Sequence, residues 1–110
     1  MGKLLYGPHQ RDIEIEDREL AHLQIVMLSK LRRGESFAFS WEKASSEGSG
    51  RGTIWISPAI PLEFAFYGGR RPSLNRQWIH ELTAIAASGD LHLIDEPDPR
   101  DTGSTDQGRY

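Results

Sequence analysis

The chain has 110 residues, a formal charge of −3 and no cysteine. That length fits one domain with one core, and the missing cysteines exclude a disulfide framework and a thiolate zinc site. No run approaches the roughly 20 apolar residues of a membrane helix, and mean hydropathy is −0.53. Met1 to Tyr6 is cut short by Gly7-Pro8 and lacks the pattern of a secretory signal, so a cytoplasmic protein with no membrane partner is expected. Residues 1–90 balance 11 basic against 11 acidic side chains. The net charge therefore belongs to the tail, where Asp95, Glu96, Asp98, Asp101 and Asp106 face Arg100 and Arg109. A neutral body argues against a dedicated high-affinity DNA binder.

Lys3 to Tyr6 and Asp12 to Glu16 predict a hairpin around Gly7-Pro8-His9-Gln10. Ile13 and Ile15 face inward while Asp12, Glu14 and Glu16 face water, the pattern of a guarded edge strand. Asp17 is the expected N-cap of a first helix, with Glu19 near the positive end of its dipole. Leu20, Leu23, Met27 and Leu31 recur at helical spacing, and Val26 and Leu28 widen the stripe. Lys30, Arg32 and Arg33 suit the C-terminal end, and Gly34 is the natural residue beyond it.

Ser36 to Tyr67 holds three runs that alternate with a period of two. Phe37, Phe39 and Trp41 share one face, as do Ile54 with Ile56, and Leu62 with Phe64 and Phe66. The three runs predict an antiparallel meander with one apolar face. Ser45 to Gly52 reads as a mobile hairpin loop. It is not a phosphate-binding loop, because a strand follows where a lysine and a helix are required. Pro72 keeps Arg71 out of the helical region, so a second helix is expected to start with Ser73 as its N-cap. Leu74, Trp78, Leu82 and Ile85, with Ile79 and Ala86, form its inward face. Gly89 closes it, and Leu91 to Ile94 is a short last strand. The expected domain covers residues 1–97, and residues 98–110 have the composition of a disordered acidic tail.

The order β-β-α-β-β-β-α-β predicts an α+β fold, a two-layer sandwich of an antiparallel sheet with both helices on one face. Trp41 and Trp78 are expected in the core. Trp55 and Tyr67 are expected on the open side of the sheet, with Ser40 and Thr53 beside them and Arg51 at hand. Aromatic rings on such a face suit a protein partner or a homo-oligomer contact. They could equally stack bases, with Arg51 and Arg70 on phosphates. A second candidate is the start of the second helix, where Arg70, Arg71, Ser73, Asn75 and Arg76 could hold an anion. The plainer reading there pairs Arg70 and Arg71 with Glu35 or Glu63.

Catalytic signatures are absent from the sequence. His9, His22, His80 and His92 are scattered, with no helical pair, and read as surface or half-buried residues rather than metal ligands. Glu14 and Glu16 read as a solvated strand face rather than an acid–base pair. No serine sits in a nucleophile turn. No cofactor is expected.

Three stretches carry a resemblance. Lys30-Leu31-Arg32-Arg33-Gly34-Glu35-Ser36-Phe37-Ala38-Phe39-Ser40-Trp41, Gly48-Ser49-Gly50-Arg51-Gly52-Thr53-Ile54-Trp55 and Arg70-Arg71-Pro72-Ser73-Leu74-Asn75-Arg76 are similar to a family of short bacterial proteins with a domain of unknown function. Met1-Gly2-Lys3-Leu4 and Glu96-Pro97 fit as well, so the resemblance spans residues 1–97. Members often carry the label "ATP-dependent DNA ligase", which implies an adenylation lysine within Lys-x-Asp-Gly. Here Lys3, Lys30 and Lys43 are followed by Leu-Leu, Leu-Arg and Ala-Ser. The residues thus point to a non-catalytic module that contacts a protein or itself through its open sheet face, with an accessory nucleic-acid binder as the alternative.

Overall fold

The computed structural model describes residues 1–45 and 48–98. Its elements follow the expected order: β1 (Gly2–Tyr6), β2 (Arg11–Ile15), α1 (Asp17–Arg32), β3 (Phe37–Ser45), β4 (Gly48–Ile56), β5 (Leu62–Ala65), α2 (Arg76–Ala86) and β6 (Asp90–His92). The fold is α+β. The sheet layer, however, is divided in two, with strand orders β2-β1-β5 and β4-β3-β6.

β1 and β2 pair antiparallel with Leu4 opposite Ile13. Gly7 at φ +82° and Gln10 at φ +54° turn the chain between them. The other side of β1 takes β5 antiparallel, with Leu4 opposite Phe64 and Tyr6 opposite Leu62. This corrects the expected meander, in which β5 would have paired with β4. Between those two strands stand Pro58 and Pro61, which have no N–H to give to a ladder. A turn closes there from Ile60 N to the Ser57 carbonyl at 3.0 Å. The Pro61 carbonyl then accepts Gly7 N at 2.9 Å, which brings the chain to β1.

β3 and β4 form a long antiparallel pair with Phe39 opposite Ile54, and β6 joins β3 in parallel with Leu91 opposite Phe39. The expected loop from Ser45 to Gly52 is mostly strand, because the pairing continues out to Ser45 opposite Gly48. Only Ser46 and Glu47 of that loop, and residues 99–110 of the expected tail, lie outside the described residues.

One core joins both sheets and both helices. Leu4, Ile13 and Ile15 of the first sheet and Phe37, Phe39, Ile54, Ile56 and Leu91 of the second pack with Leu20, Leu23, Val26 and Met27 of α1 and Trp78, Leu82 and Ala86 of α2. Gly2 is needed where β1 crosses α1, since a Cβ there would stand 2.7 Å from the Asp17 carboxylate and 2.8 Å from Leu20. Gly34 at φ +75° and Gly89 at φ +92° follow the two helices, as their positions in the sequence imply.

The helix starts differ from expectation. Glu16, not Asp17, is the N-cap of α1, and Asn75, not Ser73, caps α2. The Asp17 carboxylate instead accepts the backbone N–H groups of Tyr67 and Gly68. Trp41 is half-buried, stacked at 6.0 Å on Phe39 and covered by the Arg11 guanidinium at 5.6 Å.

Candidate functional site

The outer face of β3 and β4 is built from the residues that alternate with the core positions. Ile54 and Ile56 point inward, so Arg51, Thr53 and Trp55 point out, and all three are exposed. Trp55 is 55% exposed, opposite Ala38, whose methyl leaves the ring uncovered. Ser40 and Thr53 are cross-strand partners whose hydroxyls share a hydrogen bond of 2.9 Å. This bond ties up the two small polar groups beside the ring. The Trp55 carbonyl accepts from the Tyr6 hydroxyl, which links the two sheets at this point.

Tyr67 does not join that face. It lies two residues past the end of β5, which belongs to the other sheet, and is 85% exposed. Its backbone N–H donates to Asp17 Oδ1 at 3.1 Å, and Gly68 N donates to Oδ2 at 2.8 Å. These two bonds hold the Asp17 carboxyl below its ordinary range, so Asp17 stays ionised as a clamp on the loop.

The start of α2 is organised around Asn75. Its Oδ1 accepts Trp78 N at 3.2 Å, and its Nδ2 donates to Glu96 Oε2 and to the Pro97 carbonyl, both at 2.9 Å. Arg18 grips the same Glu96 carboxylate with two bonds, Nε to Oε1 at 2.8 Å and Nη2 to Oε2 at 2.6 Å. Its Nη1 donates to the Ser73 carbonyl at 2.9 Å. The Arg18 fork first, and the Asn75 amide second, lower Glu96 to about 2. The anion beside this helix start is therefore the chain's own Glu96, and Asn75 is buried and fully engaged. Ser73, Arg70, Arg71 and Arg76 are exposed, and the three arginines form no ion pair among the described residues. Glu35 pairs instead with Lys30 at 3.1 Å and Arg33 at 3.2 Å, which corrects the pairing expected for Arg70 and Arg71.

His22 is the functional-type residue that pattern reading misplaced. It is completely buried, 4.6 Å from the Trp78 ring, and both ring nitrogens are bonded within the fold. Its position on α1, one residue before Leu23 in the apolar stripe, was the available signal. Among the described residues no cluster of His, Cys, Asp and Glu could hold a metal ion.

An open cleft of about 940 Å³ also separates the start of α1 from β3 and β4. Glu14, Glu16, Glu19, Phe39, Trp41 and Thr53 are among the residues that line it. Burial, reinforced by the nearby Glu16 carboxylate, raises Glu19 above its ordinary range. Its walls come from both sheets, so no single stretch of sequence announces it.

The fold and its one exposed tryptophan face define a small α+β domain with a surface suited to contact. The chain belongs to the family described as a domain of unknown function, DUF7882, which covers residues 1–96. No curated protein and no solved structure matches it. Among the described residues no helix is long and apolar enough to cross a membrane.

Proposed function

We propose that this domain is a non-catalytic interaction module that contacts another protein, or a second copy of itself, through the outer face of β4. One observation carries the reading: Trp55 is 55% exposed between two buried neighbours, Ile54 and Ile56. A tryptophan left in water on a rigid strand is a favourable anchor, because it brings a large area to a contact at small cost in side-chain entropy. The non-catalytic part rests on the sequence, which has neither Lys-x-Asp-Gly nor a nucleophile turn. The cysteine-free composition supports a cytoplasmic setting.

A separate observation favours a second reading. Arg70, Arg71 and Arg76 stand without ion-pair partners among the described residues, near the highly exposed Tyr67 in sequence. Guanidiniums for phosphates and a ring for stacking would suit an accessory nucleic-acid binder. A ligase-related role, implied only by the label common in the family, would belong with that reading.

Sedimentation of the wild type and of Trp55→Ala, each with and without single-stranded DNA, separates the two. On the protein-contact reading Trp55→Ala weakens association by ~2 kcal/mol or more and leaves the melting temperature nearly unchanged. Loss of DNA binding on changing Arg70 and Arg71, with no association to lose at Trp55, would replace the first reading with the second.

A further inference from the structure

β4 lies at the edge of its sheet, paired with β3 on one side only. Two bonds establish which of its backbone groups face the open side. Ala38 N donates to the Gly89 carbonyl at 2.9 Å, toward β6, and Ala38 stands opposite Trp55. The Ala38–Trp55 pair is therefore a non-hydrogen-bonded one, and the N–H and C=O of Trp55 point away from β3. The Tyr6 hydroxyl meets that carbonyl from outside. By the period of two, the backbone groups of Thr53 and Arg51 point outward as well.

The other edges are protected. β2 presents exposed Arg11, Asp12 and Glu14, and Asp12 is paired with Lys3. β5 has four residues and follows Pro61, and β6 has three. β4 has nine, and glycines occupy positions 48, 50 and 52. Long edges with free backbone groups are templates for another strand.

We propose that β4 pairs antiparallel with β4 of a second copy about a two-fold axis through Thr53, joining two three-stranded sheets into one of six strands. This rests on the reading of β4 as a protein contact and names the partner and the register. The register is self-complementary. With Thr53 facing Thr53 of the second copy, Arg51 faces Trp55 of the second copy, and the reverse pair repeats it. A guanidinium then lies against an indole at both ends of the contact. An axis through Arg51 would instead set two like charges opposite each other, and one through Trp55 would run past the strand's end at Ile56. Thr53 can exchange two backbone bonds across the axis, and each Trp55 N–H can donate to the Arg51 carbonyl of the second copy, while the Trp55 carbonyl stays with the Tyr6 hydroxyl.

The chain has no cysteine, so a single introduced thiol reports the register. In a hydrogen-bonded antiparallel pair the Cα atoms are ~5.5 Å apart, within disulfide range. Thr53→Cys is expected to oxidise to a covalent dimer. Arg51→Cys is not, because its counterpart lies about 13 Å along the strand. Thr53→Pro, which removes the central N–H at an edge where proline is tolerated, is expected to sediment as a folded monomer. Arg51→Glu and Trp55→Ala should each weaken the dimer at least ~10-fold. A native dimer that survives Thr53→Pro, or that cross-links as well through Arg51→Cys as through Thr53→Cys, overturns the register but leaves self-association standing. A wild-type chain that is monomeric up to about millimolar concentration overturns both the pairing and the self-association from which it follows.

Discussion

The buried imidazole of His22 accepts the backbone N–H of Asn75 at 2.8 Å, while its other nitrogen meets the Arg18 carbonyl at 2.7 Å. Because a backbone N–H can only donate and a carbonyl only accept, these bonds place the proton on Nδ1. One ring thus joins α1 to the residue that caps α2. Arg18 and Asn75 then converge on Glu96, so the last described turn of chain is held by the same network.

Removing the ring should cost more than its size suggests. His22→Ala opens a cavity against Trp78 and leaves the Asn75 N–H without a partner. The expected loss is about 3 kcal/mol, combining cavity and unsatisfied donor, or roughly 12–20 °C in Tm for a domain of this length. A thermal melt that falls by less than about 4 °C would show that water or a neighbour replaces the ring.

Acid stability follows from the signs of the carboxylate shifts. Glu96 is lowered from 4.5 to about 2, so its contribution is complete above the ordinary value and is lost as pH falls toward about 2. Asp17 and Glu35 are lowered too and act in the same direction. Glu19 is raised, so its ionised form is disfavoured in the fold and acidification relieves it. Melts between about pH 2 and pH 7 should therefore show a flatter acid limb for Glu96→Gln than for the wild type. Glu19→Gln should raise Tm at neutral pH, because the amide oxygen can still accept from the Glu16 N–H. An unchanged acid limb in Glu96→Gln would mean the Arg18 fork is not formed in solution.

The three tryptophans should separate by burial. Trp78 is 2% exposed, and its indole N–H donates to the Ile94 carbonyl at 3.1 Å. Trp78→Ala is expected to cost about 3–5 kcal/mol, whereas Trp55→Ala should stay within ~1 kcal/mol of the wild type as a monomer. Chemical denaturation of both variants decides this. Equal losses would mean that Trp55 supports the core as well.

Gly52 offers a test of the strand crossing. A Cβ there would stand 2.5 Å from the Trp41 ring, so Gly52→Ala must push the indole off β4 and away from the Arg11 guanidinium. A cost of ~1–3 kcal/mol is expected, with a red-shifted tryptophan emission as the ring gains water. Wild-type emission and stability together would show that Trp41 does not rest on Gly52.

The sequence by itself determined the elements, because hydrophobic period and turn residues are local properties. The alternation in Phe37–Trp41, Thr53–Ile56 and Leu62–Phe64, the stripe on α1, and the glycines after both helices placed all eight elements in order. The exposed Trp55 could be read from the same alternation. Which strand lies beside which was decided by the tertiary structure. An alternating strand needs an apolar neighbour and free backbone partners, and β1 and β4 could each supply them to β5. Pro58 and Pro61 lie in the connection, but their effect depends on where the chain goes next. The site residues divide on the same ground. Trp55, Thr53 and Arg51 stand together because they lie two apart on one strand, which is a local relation. Tyr67, once β5 had joined β1, fell on a different sheet. His22, Asn75, Arg18 and Glu96 are up to 78 positions apart, and no periodicity links them. Only the packing of α1 against α2 brings their donors and acceptors within reach, and burial then requires His22 and Asn75 to be satisfied.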